Sequence, residues 1–294
     1  MKNTIFTGAG VAIVTPMHED GSINYEELGR LIDFNIDNGT DAIIICGTTG
    51  ESSTMTDEEH LEAIKFAIDH TAKRVPVIAG TGSNDTHYAI HLSQEAEKLG
   101  ADALLVVTPY YNKTSQDGLV AHYTMIAESV SLPIIMYSVG SRTGVNITPE
   151  TCVKLSKVPN IVAIKEASGN LEQVDEIIKN KPRDFDVISG DDSLTFPMVS
   201  CGAVGVISVI GNALPKEFSK MIRLQMRGEY EPARKIHHRF TDLFSLLFVD
   251  GNPAGVKAML HEMGFIENVL RLPLVPTRIS TLQRMSEIMK ELKI

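Results

Sequence analysis

The chain of 294 residues has no tryptophan, few aromatics (6%) and only three cysteines, Cys46, Cys152 and Cys201, set far apart with no CxxC. That spacing argues against a zinc cluster and a disulfide framework, and it fits a reducing compartment. Positive charge is in deficit. Lys and Arg number 27 against 37 Asp and Glu, a net charge of −10, and no basic stripe stands out, so nucleic acid is not an expected partner. No apolar stretch reaches the ~20 residues that span a bilayer; AVGVISVIGNAL at 203–214 comes nearest. The opening MKNTIFTGAGVAIVTPM has the lysine and apolar patch of a leader peptide. Gly8, Gly10 and Pro16 break that patch, which suits a strand entering a loop better. What remains is a cytoplasmic globular protein with room for one large barrel, or one barrel and a small extra domain.

Against these absences, one pattern recurs. Short Val- and Ile-rich runs stand at 11–15, 42–46, 76–80, 103–107, 133–137, 161–165, 186–190 and 203–208. Each is continuously apolar, as expected of a parallel strand covered on both faces. Between most of them lies enough chain for a loop and a crossover helix; only the interval from 186 to 203 is short. Residues 57–70 open with acids and carry Leu61, Ile64, Ala67 and Ile68 on one stripe, the mark of such a helix. Eight strands alternating with helices predict an α/β fold, a (β/α)8 TIM barrel. An open doubly wound sheet is the rival, but no GxGxxG follows the first strand. After residue 228 the strands stop, and 229–248, 253–264 and 277–292 read as helices. We therefore expect a catalytic barrel over 1–228 and a C-terminal helical domain over 229–294. Met is plentiful there, with Val256, Met259, Leu260 and Met263 at helical spacing, which reads as core.

In such barrels the active site lies where the strands end. The residues there are GTTGES (47–52), GTGSN (80–84), TPYYN (108–112), Tyr137, SRTG (141–144), Lys165-Glu166, SGDDS (189–193) and SVIGN (208–212). Hydroxyls and small residues dominate, and no His/Asp/Cys set would hold a metal. Lys165 is the odd one. Strand alternation puts it on the face of Ile161 and Ala163. If that face points inward, desolvation lowers the amine pKa and makes it a nucleophile. The bland alternative is a lysine that snorkels to the rim or pairs with Glu166. Tyr137 is either a proton relay or a packed phenol. GTTGE offers two hydroxyls and backbone amides for a small carboxylate, or is only a turn. Arg142 offers a fork for a second carboxylate, or a surface ion pair. Asp191 and Asp192 would repel a phosphate, so the substrate is expected to be unphosphorylated, unless one of them only caps the next helix. His87 and His91 sit one helical turn apart without a third ligand, and His237-His238 read as surface residues.

Taken together, GTTGES, TPYYN, SRTG, IKEASGN (164–170) and SGDDS resemble the dihydrodipicolinate synthase family of pyruvate-dependent class I aldolases. The likeness runs from about Phe6 to Leu274, with an LRLP segment at 270–273. GTTGE and IKEA mark the superfamily, and the SRTG arginine marks this member. The resemblance implies condensation of pyruvate with aspartate 4-semialdehyde in lysine biosynthesis. It makes Lys165 the Schiff-base residue and Tyr137 the proton relay beside Thr48. Tyr111 would complete the relay in a neighbouring subunit, in a homo-oligomer expected to be a dimer of dimers. Thr48 and Thr49 would hold the pyruvate carboxylate, Arg142 that of the semialdehyde, and the carbonyls of Gly190 and Ile207 would line the pocket. No metal or organic cofactor is implied, because the lysine serves as the electron sink. The family's Tyr-Asn-Val-Pro before SRTG is replaced by Tyr137-Ser138-Val139-Gly140, which removes a proline from the loop that presents Arg142.

In lysine-sensitive members of the family, free lysine binds at the tight subunit interface. The matching positions here are Ser52, Ser53, Asp57, His60, Asn84, Tyr88 and Tyr110. Tyr88 replaces a glutamate and Asp57 often a histidine. Asp57 opens a helix, where capping is expected to occupy it. A weakened response to lysine follows. Two other functions compete. A sister aldolase, such as N-acetylneuraminate lyase or a 2-keto-3-deoxy sugar acid aldolase, would use the same lysine and tyrosine, but Arg142 suits a short aldehyde acid. A non-catalytic pyruvate-binding barrel would need neither Lys165 nor Tyr137.

Overall fold

The structure, a computed structural model, describes residues 4–294. Strand β1 (Gly8–Ala12) is followed by helix α1 (Tyr25–Asp37), β2 (Ala42–Ile45) by α2 (Asp57–Thr71), and β3 (Val77–Gly80) by α3 (Thr86–Leu99). Then come β4 (Ala103–Val107), α4 (Gln116–Ser129), β5 (Ile134–Ser138), a short α5 (Gly140–Thr143) and α6 (Pro149–Leu155). The barrel ends with β6 (Ile161–Glu166), α7 (Leu171–Asn180), β7 (Asp186–Ser189), α8 (Thr195–Cys201), β8 (Gly205–Ser208) and α9 (Pro215–Met226). Helices α10 (Tyr230–Leu246), α11 (Ala254–Glu262) and α12 (Ile279–Leu292) follow. The eight strands close in chain order, all parallel, and β8 pairs with β1. This is the (β/α)8 barrel with a C-terminal helical extension that the apolar runs predict. The short interval before β8 still holds a helix, only seven residues long.

Local chemistry places the elements. At α2, Thr56 accepts from the Glu59 amide while the Glu59 carboxylate accepts from the Thr56 amide, a complete capping box. Asn170 caps α7 by accepting from the amides of Glu172 and Gln173, fixing the chain just beyond β6. Gly205 sits where β8 crosses closest to β1: a side chain there would run into the Gly8 carbonyl.

Every strand contributes to the barrel interior: Ala12, Ile44, Ile78, Leu105, Ile135, Ala163, Ile188 and Ile207 belong to one inner cluster, with second residues such as Ala42, Ala103 and Tyr137. The opposite faces pack against the helices as a larger outer cluster.

Two features depart from expectation. The first strand runs from Gly8 rather than residue 11, because the two small glycines lie in the strand itself. This also places most of the leader-like stretch inside the fold; Met1–Asn3, where that reading begins, lie outside the described residues. The second departure bears on Lys165. Ile134 pairs with Ile161, but Ile135 pairs with Ala163, so Val162 is an extra residue in β6. Ile161 therefore packs outward, while Ala163 and Lys165 point into the barrel. Simple alternation places Ile161 wrongly on the lysine's face, and the bulge is the reason.

Candidate active site

Lys165 is the penultimate residue of β6, with 5% exposure, and its register partner on the neighbouring strand is Tyr137 of β5. The lysine Nζ lies 4.2 Å from the centre of the Tyr137 ring. Lys165 neither snorkels to the rim nor pairs with Glu166. The Glu166 carboxylate turns the other way and accepts from Gln173 Nε2 at 2.8 Å and the Ser168 amide at 3.2 Å. Burial pulls the amine down to about 7, opposed by the charge of Asp192 and reinforced by that of Arg142. The Tyr137 phenol is pushed up by burial, against the charge of Arg142 and a hydrogen bond with Thr48.

Three loops surround this pair. Thr48–Gly50 form a single 3-10 turn, with Thr49 buried and Thr48 exposed. The Thr15 hydroxyl anchors the turn by donating to Gly50 O at 2.7 Å. The loop that lost its proline is itself a helical turn, Gly140–Thr143. Thr143 pins it, donating to Val145 O at 2.9 Å and accepting from Thr108 Oγ1 at 3.0 Å. Ser138 ties the far side by donating to Asn146 Oδ1 at 3.1 Å and accepting from the Ile147 amide at 3.1 Å. Arg142 stands exposed on this turn.

The two aspartates after β7 diverge. Asp191 Oδ1 accepts from the amides of Ser193 and Leu194, the turn-capping alternative. Asp192 turns inward and binds the amides of Val209 and Ile210 at 3.0 and 2.8 Å, joining two strand ends. Its other oxygen is buried without a hydrogen-bond partner, and burial raises its carboxyl to about 6. Gly190 passes close to the lysine: a Cβ there would meet Lys165 Cε at 3.1 Å and Ala167 Cβ at 2.8 Å. Ile207 lies in the inner cluster.

A cavity of about 520 Å³ is lined by Thr48, Tyr137 and Arg142 together with Ser52, Ser53, His60, Tyr88 and Tyr110. Lys165, Thr49, Gly190, Ile207, Asp57, Asn84 and Tyr111 do not line it. His60 is buried and donates from Nε2 to Gly80 O at 2.8 Å, and burial lowers its pKa. Asn84 O accepts from Asn112 at 2.9 Å. Tyr88 donates to Asp57 Oδ1 at 2.5 Å. Asp57 is thus not spent on capping, since Thr56 caps α2 and leaves the carboxylate free for the phenol. Tyr111 is 92% exposed with a φ of 70°.

No metal-holding group of His, Cys, Asp or Glu occurs among the described residues, and His87 and His91 are exposed. His237 is half-buried rather than on the surface. Its ring packs on Phe196 and Phe244, with centroids 5.5 Å away in each case. Sequence reasoning missed Asn252 and Lys257, which reach from the C-terminal extension to Thr49 and Glu51 of the GTTGE loop. One signal was present: AGVKAML is apolar on all sides of a helix, so its single lysine requires a partner.

Known proteins resemble this chain in both sequence and overall fold. The model of the dihydrodipicolinate synthetase family matches residues 5–292. A 4-hydroxy-tetrahydrodipicolinate synthase of Phocaeicola vulgatus is 55% identical over 295 residues, covering 100% of this chain and 99% of its own. The crystal structure of dihydrodipicolinate synthase from Acinetobacter baumannii complexed with pyruvate is 43% identical, with a TM-score of 0.97 over 99% of this chain and 100% of that one. The enzyme from Cyanidioschyzon merolae with lysine bound is 41% identical, with a TM-score of 0.96 over 99% of each chain. With a family pattern spanning nearly its whole length and relatives alike from end to end, the chain belongs to the dihydrodipicolinate synthetase family.

Proposed function

We propose that the chain condenses pyruvate with aspartate 4-semialdehyde to give 4-hydroxy-tetrahydrodipicolinate, on the route to lysine. What carries this reading is the buried Lys165 amine, held near neutrality beside Tyr137 at the mouth of the barrel. The neutral amine adds to the pyruvate ketone, Tyr137 protonates the oxygen, and loss of water leaves an iminium. Loss of a C3 proton then gives an enamine, whose C3 attacks the aldehyde carbon. The amino group of the second substrate closes the ring on the iminium carbon and frees Lys165. Thr48 and Thr49 hold the pyruvate carboxylate, with the Gly190 and Ile207 carbonyls nearby, and Arg142 holds the carboxylate of the semialdehyde. The iminium is the electron sink, so these steps call on no cofactor. Residues 1–228 serve as the catalytic unit and 229–294 as the helical unit bracing it. No helix among the described residues is long and apolar enough to cross a membrane, and the three cysteines are free, in keeping with a cytoplasmic enzyme.

Borohydride reduction in the presence of pyruvate tests this directly. One reduced pyruvate per chain is expected on Lys165, and Lys165→Arg should lose both the adduct and most activity. An adduct on another lysine in active enzyme would falsify the assignment.

The rate of imine formation should depend on pH in a defined direction. Below about 7 the amine carries a proton and cannot attack, so the rate rises through about 7 and then levels off. Arg142 lowers the lysine pKa and Asp192 raises it. Arg142→Ala should therefore move the rising limb to higher pH, and Asp192→Asn to lower pH. Stopped-flow profiles that move together, or not at all, count against the placement of these charges. Arg142→Ala should also weaken use of the semialdehyde by roughly 10- to 100-fold, the worth of a charged hydrogen bond.

Tyr111 projects into solvent from a left-handed backbone position, which suits a role in a neighbouring subunit. We assign the chain to a homo-oligomer of at least two subunits, a dimer of dimers by preference. Sedimentation should give an assembly, and Tyr111→Phe should lower turnover without dissociating it. A fully active monomer at assay concentration rules out the shared site.

Response to free lysine should be weak. Tyr88 offers no charge where an ammonium needs one, and its hydroxyl already engages Asp57. Relative to a sensitive enzyme, inhibition should fall by roughly 10- to 100-fold. Strong inhibition in a lysine titration of the condensation rate would mean that Asp57 leaves the phenol and takes over as the anion.

A further inference from the structure

The turn Thr48–Glu51 is held from outside the barrel. Asn252, just before α11, donates from Nδ2 to Thr49 Oγ1 at 2.9 Å. Lys257 of α11 lies 2.5 Å from Glu51 Oε1, with both side chains at 0% exposure, and donates to Val269 O at 2.8 Å. Glu51 Oε2 also accepts from the Arg271 amide at 3.2 Å. The Arg271 guanidinium bonds Thr54 O at 2.8 Å and Glu59 at 2.6 and 2.5 Å. Glu51 has a φ of 57°, a left-handed conformation that a side chain keeps only when its surroundings enforce it. The Asn252 oxygen, meanwhile, is buried with no hydrogen-bond partner. A half-satisfied buried amide is costly, which argues that its bond to Thr49 is what keeps it there.

We propose that Asn252 and Lys257 are positioning residues for the substrate carboxylate; this rests on the reading that Thr48 and Thr49 hold pyruvate. A hydroxyl both donates and accepts, whereas a carboxylate only accepts. The Asn252 N–H occupies the acceptor side of Thr49, which leaves the threonine proton to point at the carboxylate. Lys257 fixes Glu51, and Glu51 fixes the last backbone unit of the turn. The helical extension thereby sets the geometry of the pyruvate subsite without touching pyruvate.

The test compares Asn252→Asp with Asn252→Ala. Aspartate has the same shape but no donor, so it accepts the Thr49 proton and turns it away from the substrate. Alanine leaves the hydroxyl free to rotate. The pyruvate concentration that half-saturates borohydride trapping should rise roughly 10-fold or more in Asn252→Asp and less in Asn252→Ala. The KM for aspartate semialdehyde should stay within about twofold in both. Lys257→Met combined with Glu51→Gln, which buries no lone charge, should raise the same pyruvate constant. The proposal is overturned if pyruvate saturation is unchanged in these variants, if both substrates weaken equally, or if alanine does as much harm as aspartate. Failure of the unaltered enzyme to trap pyruvate on Lys165 would instead sink the functional reading itself.

Discussion

A single cost organises this molecule: an amine has been taken out of water at the end of β6. Desolvation disfavours its protonated form, and every nearby device adjusts that balance. The bulge at Val162 turns Lys165 inward. Gly190 leaves room for the side chain to pass, since a Cβ there would press on Lys165 Cε. Tyr137, its neighbour in the sheet, covers it with an aromatic face. Asp192 and Arg142 pull the pKa in opposite directions, and the result sits near 7, where a useful share of the amine is free. Apolar strands cover the rest, so the barrel's hydrophobic interior is itself part of the reagent.

Much of this was legible in the sequence because it is local. A run such as ALLVV announces a buried parallel strand wherever it occurs, and β4 spans the same five residues, Ala103–Val107. Lys165 and Tyr137 were legible because each closes such a run. The bulge was not, because an extra residue in IVAI changes no composition, only the register against β5. The first strand was displaced for a related reason: Gly8 and Gly10 look like turn residues, yet here they sit in the strand because a side chain at Gly8 would strike Asp41 and one at Gly10 would strike Ile44 and Phe6. The Asp57–Tyr88 bond joins residues 31 apart, and helical periodicity says nothing about which two loops will meet.

The support for the GTTGE turn was the least legible part. Asn252 and Thr49 are 203 residues apart, and no local pattern links them. Only the lysine in an otherwise apolar helix hinted that something buried and acidic lay opposite. A fully buried ion pair is a poor device for stability, since losing water costs both charges about as much as their attraction returns. Well-packed apolar residues would stabilise α11 at least as well. The pair makes better sense as a geometric constraint, because it fixes one carboxylate, and with it one strained backbone unit, in a single place.

That constraint also ties the site to the whole chain. The eight strands and their helices are complete by Met226, and the reactive pair Lys165–Tyr137 lies entirely within them. In the turn beside that pair, the side chains of Thr49 and Glu51 are held by residues 252, 257 and 271. Those residues follow the barrel in the chain. A chain ending at the barrel would keep its nucleophile but leave Glu51 in a left-handed conformation without its cation, a combination with little reason to persist. The C-terminal helices therefore do more than cover the barrel's apolar outer face. They supply the cation and the amide that let a strained turn of small residues hold one shape.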